Sequence, residues 1–239
     1  MVYSLFTQPK KQLALLIDPD KHTNESLQYI ATVAQKIGVD YVFVGGSLLI
    51  TDISDCVCTI KSYYTGPVIL FPGHANQVCS SADAILFLSL ISGRNPEFLI
   101  GNHVIAAPAI KQAGLEVIPT GYILIECGKT TSVEYMSNTR PIPGTKPDIA
   151  VATAMAGEML GLRAMYIEGG SGADNTVNTT IIQKIKQSCT VPIIVGGGIQ
   201  TPHMLTSIFE AGADIAVIGT IIEQQPELLA PMMECVRRL

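Results

Sequence analysis

The chain has 239 residues, 48% apolar and 15% charged, with a formal net charge of −5. This composition supplies a large core with no sign of disorder, and an acidic balance without a Lys/Arg-rich block excludes nucleic acid as the main partner. No apolar run reaches the length of a membrane span. The six cysteines are scattered, with a spacing at Cys56 and Cys58 that fits neither a redox nor a zinc motif, so they read as buried free thiols in a reducing cytoplasm.

At the start, Lys10 and Lys11 precede an apolar run too short for a signal sequence and stopped by Asp18, so no export is expected. That run, "QLALLID", is the first of eight. The others are "VDYVFVGGS", "GPVILFPG", "AILFLSLISG", "EVIPTGYILIE", "RAMYIEGGSG", "VPIIVGGGI" and "DIAVIGT". All are continuously apolar rather than alternating, as parallel strands covered on both faces should be.

Between them, "NESLQYIATVAQKIG" has helical spacing and closes on Gly38, a good C-cap. "PEFLIGNHVIAAPAIKQAG" closes on Gly114, with Pro108 predicting a kink or break inside it. "PDIAVATAMAGEMLG", "TTIIQKIKQSC" and "PHMLTSIFEAG" are further helices. Only "HANQVCSSAD" separates the third and fourth strands, so that crossover must be short or irregular. Residues 127–146 have no clear period, and a loop of that length is usually functional, often a lid.

Eight such units in this length predict a single (β/α)8 barrel domain over 1–239. A doubly wound sheet would alternate in the same way, so the strand ends must decide. They carry Asp18, Ser47, Gly73, Gly93, Glu126, Glu168, Gly197 and Gly219. Three successive glycine turns, in "YIEGGSGA", "VGGGI" and "IGT", suit a phosphate held by backbone N–H groups, with helix N-termini just beyond. A glycine pair after strands 7 and 8 is the recurrent phosphate cradle of this fold. "DPDK" alone is as much a simple turn as a site. Beside a phosphate, Asp18 and Ser47 could offer Mg²⁺ the few hard oxygens it prefers.

Together, "IDPDK", "VGGS", "YIEGGSG", "VGGGI" and "IGT", in this order and spacing, resemble the geranylgeranylglyceryl phosphate synthase family, which includes the bacterial PcrB proteins. The resemblance runs from Asp18 to Thr220, with "YIEGGSG" its most specific element, and suggests the branch that includes Bacteroidetes enzymes. It implies a modified TIM barrel whose third helix is replaced by irregular chain. It also implies transfer of a prenyl group, from a long-chain prenyl diphosphate to the C3 hydroxyl of sn-glycerol 1-phosphate, with Mg²⁺.

Carried over by motif, Asp18 and Ser47 match the metal positions. Tyr166, Ile167, Glu168, Gly169, Gly170, Ser171 and Gly172 match the glycerol-phosphate segment. Gly197 with Gly198 and Gly219 with Thr220 match its phosphate cradle. Glu168 would bind the glycerol hydroxyls and accept the attacking proton. In the Gram-positive branch a Lys stands two residues before the metal Asp. Leu16 stands here, so that contact does not carry over. Asp20 and Lys21 are left without a role: the ammonium either balances diphosphate charge or faces solvent. Tyr122, Tyr135 and Met136 are candidates to line an apolar groove for the lipid tail, or else are ordinary core. The family forms dimers and hexamers, and a homo-oligomer is expected.

Overall fold

A computed structural model describes residues 1–239. Eight parallel strands close into a barrel in sequence order. They are β1 (Gln12–Ile17), β2 (Tyr41–Val44), β3 (Val68–Leu70), β4 (Ala84–Leu90), β5 (Glu116–Leu124), β6 (Ala164–Glu168), β7 (Ile193–Gly196) and β8 (Ile215–Ile218). The seam joins β8 to β1, with Leu15 opposite Ile218. A closed sheet has no free edge, which settles the choice against a doubly wound sheet.

The continuous apolar runs divide by parity, because successive side chains on a strand face opposite ways. Ala14, Tyr41, Phe43, Ile69, Leu86, Ile118, Tyr122, Tyr166, Ile194 and Val217 fill the barrel interior. Their neighbours Leu13, Leu15, Val42, Val44, Leu70, Ile85, Met165, Ile167 and Val195 face the helices in the larger core cluster. Most strands are therefore buried on both faces, as the sequence requires, although β5 exposes Val117 and β4 is half-buried at Phe87, Leu88 and Ser89. The lower end is plugged by a short N-terminal turn, α1 (Tyr3–Phe6), whose buried Phe6 meets Tyr41 edge to face at 5.0 Å.

The crossovers bear out the sequence in part. Helices α2 (Asn24–Ile37), α6 (Pro147–Met159), α7 (Thr179–Ser188) and α8 (Pro202–Glu210) stand where expected. Gly38 closes α2 in the left-handed conformation. No helix joins β3 to β4: residues 71–83 are turns and irregular chain, as their shortness dictates. Pro108 does not break its helix. α4 (Asn102–Ala113) runs through it, entered by a π-helical segment at Glu97–Gly101.

Besides the short α1, the sequence reading missed α3 (Ile53–Tyr63), α5 (Ser132–Ser137) within the 127–146 loop, and the C-terminal α10 (Leu229–Arg237). β5 ends at Leu124, not Glu126. Ile125 then bridges to Ile142, and the Glu126 side chain is exposed. The cysteines are all free, but Cys58 is exposed rather than buried. No helix is long and apolar enough to cross a membrane.

Candidate active site

The strand ends converge on one cavity of about 860 Å³ at the C-terminal mouth of the barrel. It is lined by Asp18, Ser47, Tyr166, Glu168, Ser171, Gly172, Gly197, Gly198, Gly219 and Thr220. Most of the motif residues thus meet in space. Ile167, Gly169 and Gly170 do not line the cavity: the parity of Ile167 turns it outward into the helix-facing core, and the two glycines sit behind the Glu168 carboxylate.

Glu168 is the last residue of β6 and shares the inward parity of Ala164 and Tyr166. Only 5% of it is exposed. Burial pushes its carboxyl up to about 7, although the Gly170 N–H and the phenols of Tyr122 and Tyr166 favour the ionised form. The Gly170 N–H donates to Oε1 at 2.6 Å. The desolvation that raises this group also raises the two phenols around it. A carboxyl poised near neutral pH in a cavity is suited to take a proton from an alcohol.

The glycine cradle fits around that carboxyl. Gly197 has a φ of +87°, and a Cβ there would come within 2.5 Å of both Glu168 Oε1 and the Gly170 nitrogen. No side chain can occupy 197 without displacing the carboxylate. Ser171 and Thr220 join the two halves of the cradle through their hydroxyls at 3.1 Å. One expectation needs correcting, since only the third turn opens straight into a helix. Gly219 leads into the short α9 (Thr220–Gln224), whereas α7 and α8 begin at Thr179 and Pro202, well past their glycines. Backbone N–H groups of the loops, rather than three helix dipoles, shape the first two turns.

On the opposite rim, Asp18 follows β1 and Ser47 follows β2, and these strands are paired. Asp18 is half-buried, and a Cβ on Gly46 would lie 3.3 Å from its Oδ1, so the carboxylate packs against the residue preceding Ser47. No group of three or more His, Cys, Asp or Glu forms a metal cage. One carboxylate and one hydroxyl suit Mg²⁺, which takes its other ligands from phosphate and water. Asp20 turns away from this rim: it accepts from the N–H groups of Ile50 and Thr51 at 2.9 and 2.8 Å, tying the first loop to the second. Lys21 does not simply face solvent. Its ammonium lies 3.6 Å from Asp18 and 3.3 Å from Glu223.

A second, predominantly apolar cavity of about 110 Å³ adjoins the first, lined by Phe87, Leu88, Leu90, Phe98, Ala106 and Ile110 among others. Gly46, Ser47, Phe71, Tyr122, Val133 and Met136 line both. Tyr122 stacks on Tyr166 at 5.3 Å, and Phe71 contacts both rings, at 6.1 and 5.0 Å. Tyr122 and Met136 therefore stand at the junction, while Tyr135 lines only the polar cavity.

This is a (β/α)8 barrel with a glycine-lined cavity around a buried carboxylate and an apolar annex. The chain belongs to the PcrB family, whose model matches residues 7–236. It is 47% identical to the geranylgeranylglyceryl phosphate synthase of Chitinophaga pinensis, over 98% of this chain and 95% of that one. To the enzyme of the same name from Methanosphaera stadtmanae it is 43% identical, over 92% and 90%. The crystal structure of (S)-3-O-geranylgeranylglyceryl phosphate synthase from Thermoplasma acidophilum, in complex with its substrate sn-glycerol-1-phosphate, matches with a TM-score of 0.93 and 32% identity. That match covers 100% of this chain and 97% of the other. N-acetylmannosamine-6-phosphate 2-epimerase from Clostridium perfringens, at 14% identity and a TM-score of 0.59, shares the fold alone.

Proposed function

We propose that the chain is a geranylgeranylglyceryl phosphate synthase. It transfers a geranylgeranyl or similar long prenyl group from its diphosphate to the C3 hydroxyl of sn-glycerol 1-phosphate. The observation that carries this reading is a polar cavity, holding a buried carboxylate against a glycine cradle, that opens into an apolar one through shared walls. A phosphorylated alcohol suits the first space and a lipid tail the second.

In this reading the phosphate rests on the backbone of Ser171 and Gly172 and on Gly197, Gly198, Gly219 and Thr220, while the Gly170 N–H stays on the Glu168 carboxylate. Tyr166 and Gly169 shape that segment. Glu168 orients the glycerol through its hydroxyls. As the C3 oxygen attacks the allylic carbon, its O–H proton passes to a Glu168 oxygen. The carbon–oxygen bond to diphosphate breaks, with its electron pair leaving on the diphosphate. Phe71, Tyr122 and Tyr166 keep water from an electrophilic carbon that would otherwise hydrolyse. Asp18 and Ser47 would hold a Mg²⁺ ion, which would supply neutralisation of charge on the leaving diphosphate.

The 239 residues act as one barrel domain in the cytoplasm, with membrane contact limited to product release. Exposed apolar side chains on two successive crossover helices support assembly with further copies of the chain. Ile100, Val104 and Ile105 lie at α4, and Met159 with Leu160 at the end of α6.

The experiment is turnover of glycerol 1-phosphate and geranylgeranyl diphosphate by wild type and Asp18→Ala, with and without a chelator. Asp18→Ala and metal removal should each nearly abolish product formation while glycerol 1-phosphate still binds. Full activity in either case would remove Asp18 from the metal site.

A further inference from the structure

Lys21 and Glu223 form an ion pair that the site described above does not use. Lys21 ends the 3₁₀ turn Pro19–Lys21 directly after β1, and Glu223 sits in the first turn of α9, directly after β8. β1 and β8 are neighbours at the seam, so the pair bridges the last loop of the barrel to the first. The Lys21 turn is fixed from below. Its N–H donates to the Asp18 carbonyl at 3.1 Å, and Asp20 is held by the Ile50 and Thr51 N–H groups. The side chains differ in freedom: Glu223 and Asp18 are 16% and 22% exposed, Lys21 44%. Two more deeply buried carboxylates thus flank one more exposed ammonium.

A half-exposed ion pair contributes little to stability, so folding alone gives it weak purpose. Charge at the mouth supplies a better one. The cavity is lined by three carboxylates, Asp18, Glu168 and Glu223, and by two ammonium groups, Lys21 and Lys129. Lys129 is already 3.6 Å from Asp174 on the neighbouring loop after β6. A space with that balance is short of positive charge for a diphosphate, and Lys21 is the cation beside Asp18. Glu223 lies three residues past Thr220 of the glycine cradle, in a place where an unpaired carboxylate would repel any phosphate.

We propose that Lys21 is a protein-borne cation for the departing diphosphate, and that Glu223 is the positioning residue that holds it there. Lys21 thereby shares the leaving group with the metal and opposes the metal at Asp18. This rests on the Asp18 assignment above. Lys21 would touch the diphosphate; Glu223 acts only through Lys21.

The test is binding of inorganic pyrophosphate by calorimetry in the presence of Mg²⁺, with glycerol 1-phosphate binding as the check on folding. Lys21→Met should weaken pyrophosphate about 10- to 100-fold, the size of one charge-assisted hydrogen bond, and Lys21→Arg should restore most of it. Without pyrophosphate, Lys21→Met should bind Mn²⁺ about two- to fivefold more tightly by electron paramagnetic resonance, because Asp18 loses a competing cation. Glu223→Gln is the sharpest arm. Removing a negative charge from an anion site should tighten pyrophosphate by simple electrostatics, whereas loss of a positioning residue should weaken it. The double variant should then be no worse than Lys21→Met alone. Unchanged binding in Lys21→Met, or tighter binding in Glu223→Gln, overturns the proposal. If Asp18→Ala itself leaves Mg²⁺-dependent pyrophosphate binding intact, the underlying metal assignment is what has failed.

Discussion

Glu168 shows what one residue gains from its place in the fold. Its burial holds the carboxyl at about 7 against an ordinary value of 4.5. The folded chain therefore binds that proton more tightly than the unfolded chain between those values. The group's contribution to stability is fully present below the unfolded value and is lost as pH rises through 7, a cost of about 3 kcal/mol for keeping the buried charge. Glu168→Gln keeps the shape and removes the charge. It should melt higher than wild type at pH 8, with the advantage shrinking toward pH 5, as calorimetry can show. Its kcat should fall about 10²- to 10⁴-fold, with only a modest rise in KM for glycerol phosphate. Wild-type kcat/KM should climb with an apparent pKa near the value of about 7 given by the burial of this group, and the variant should lack that limb. A well-folded variant at wild-type rate would leave the base elsewhere. The placement of Asp18, Glu168, Gly197 and Gly219 at the barrel mouth was legible in the sequence because strand ends and glycine runs are local features. The partners of Lys21 and the placement of Tyr122 beside Glu168 were not, since they join residues far apart in sequence that only barrel closure brings together.

At the scale of elements, continuous apolar runs marked the strands, and α2, α7 and α8 were found by a one-sided apolar period. α6 was found although its apolar residues are spread around the helix. α3 was passed over although its sequence, "ISDCVCTIKSY", places Ile53, Cys56, Val57 and Ile60 at helical spacing and buries all four against the barrel, so its period was present and was missed. α5 is six residues long, too short for a period to register. Pro108 was read as a kink or a break, and α4 continues through it without a break. The N-terminal turn was also unforeseen, and its role is mechanical. The backbone N–H groups of Val2 and Tyr3 donate to the Glu116 carboxylate at the start of β5, which pins Phe6 under the barrel. Phe6→Ala should cost about 3–5 kcal/mol of stability by leaving a cavity beside Tyr41. The site lies at the other end of the strands, so kcat should stay near wild type at a temperature where the variant is folded. Denaturant melts paired with turnover measure both. A large loss of kcat in the folded variant would show that the two ends are coupled.

For the molecule as a whole, closure of the sheet does two things at once. It buries the strands on both faces, and it brings loops from β1, β2, β6, β7 and β8 around one cavity. The outer surface is less complete. Val104 and Ile105 are 66% and 67% exposed on α4, and Met159 and Leu160 are 80% and 79% exposed at the end of α6. Light scattering should show an oligomer, and Val104→Glu with Ile105→Lys should shift it toward monomer without changing the fold. A wild-type monomer at micromolar concentration would remove the proposed interface.

The central claim is that a carboxylate held inside a glycine cradle reads a glycerol phosphate for prenyl transfer. A site that pairs buried polar groups rejects a misplaced hydroxyl by orders of magnitude. The direct measurement is the rate of prenyl ether formation from geranylgeranyl diphosphate with each enantiomer of glycerol phosphate. The sn-glycerol 1-phosphate rate should exceed the 3-phosphate rate at least about 100-fold. Equal rates with the two, or no ether from either under Mg²⁺, would contradict it.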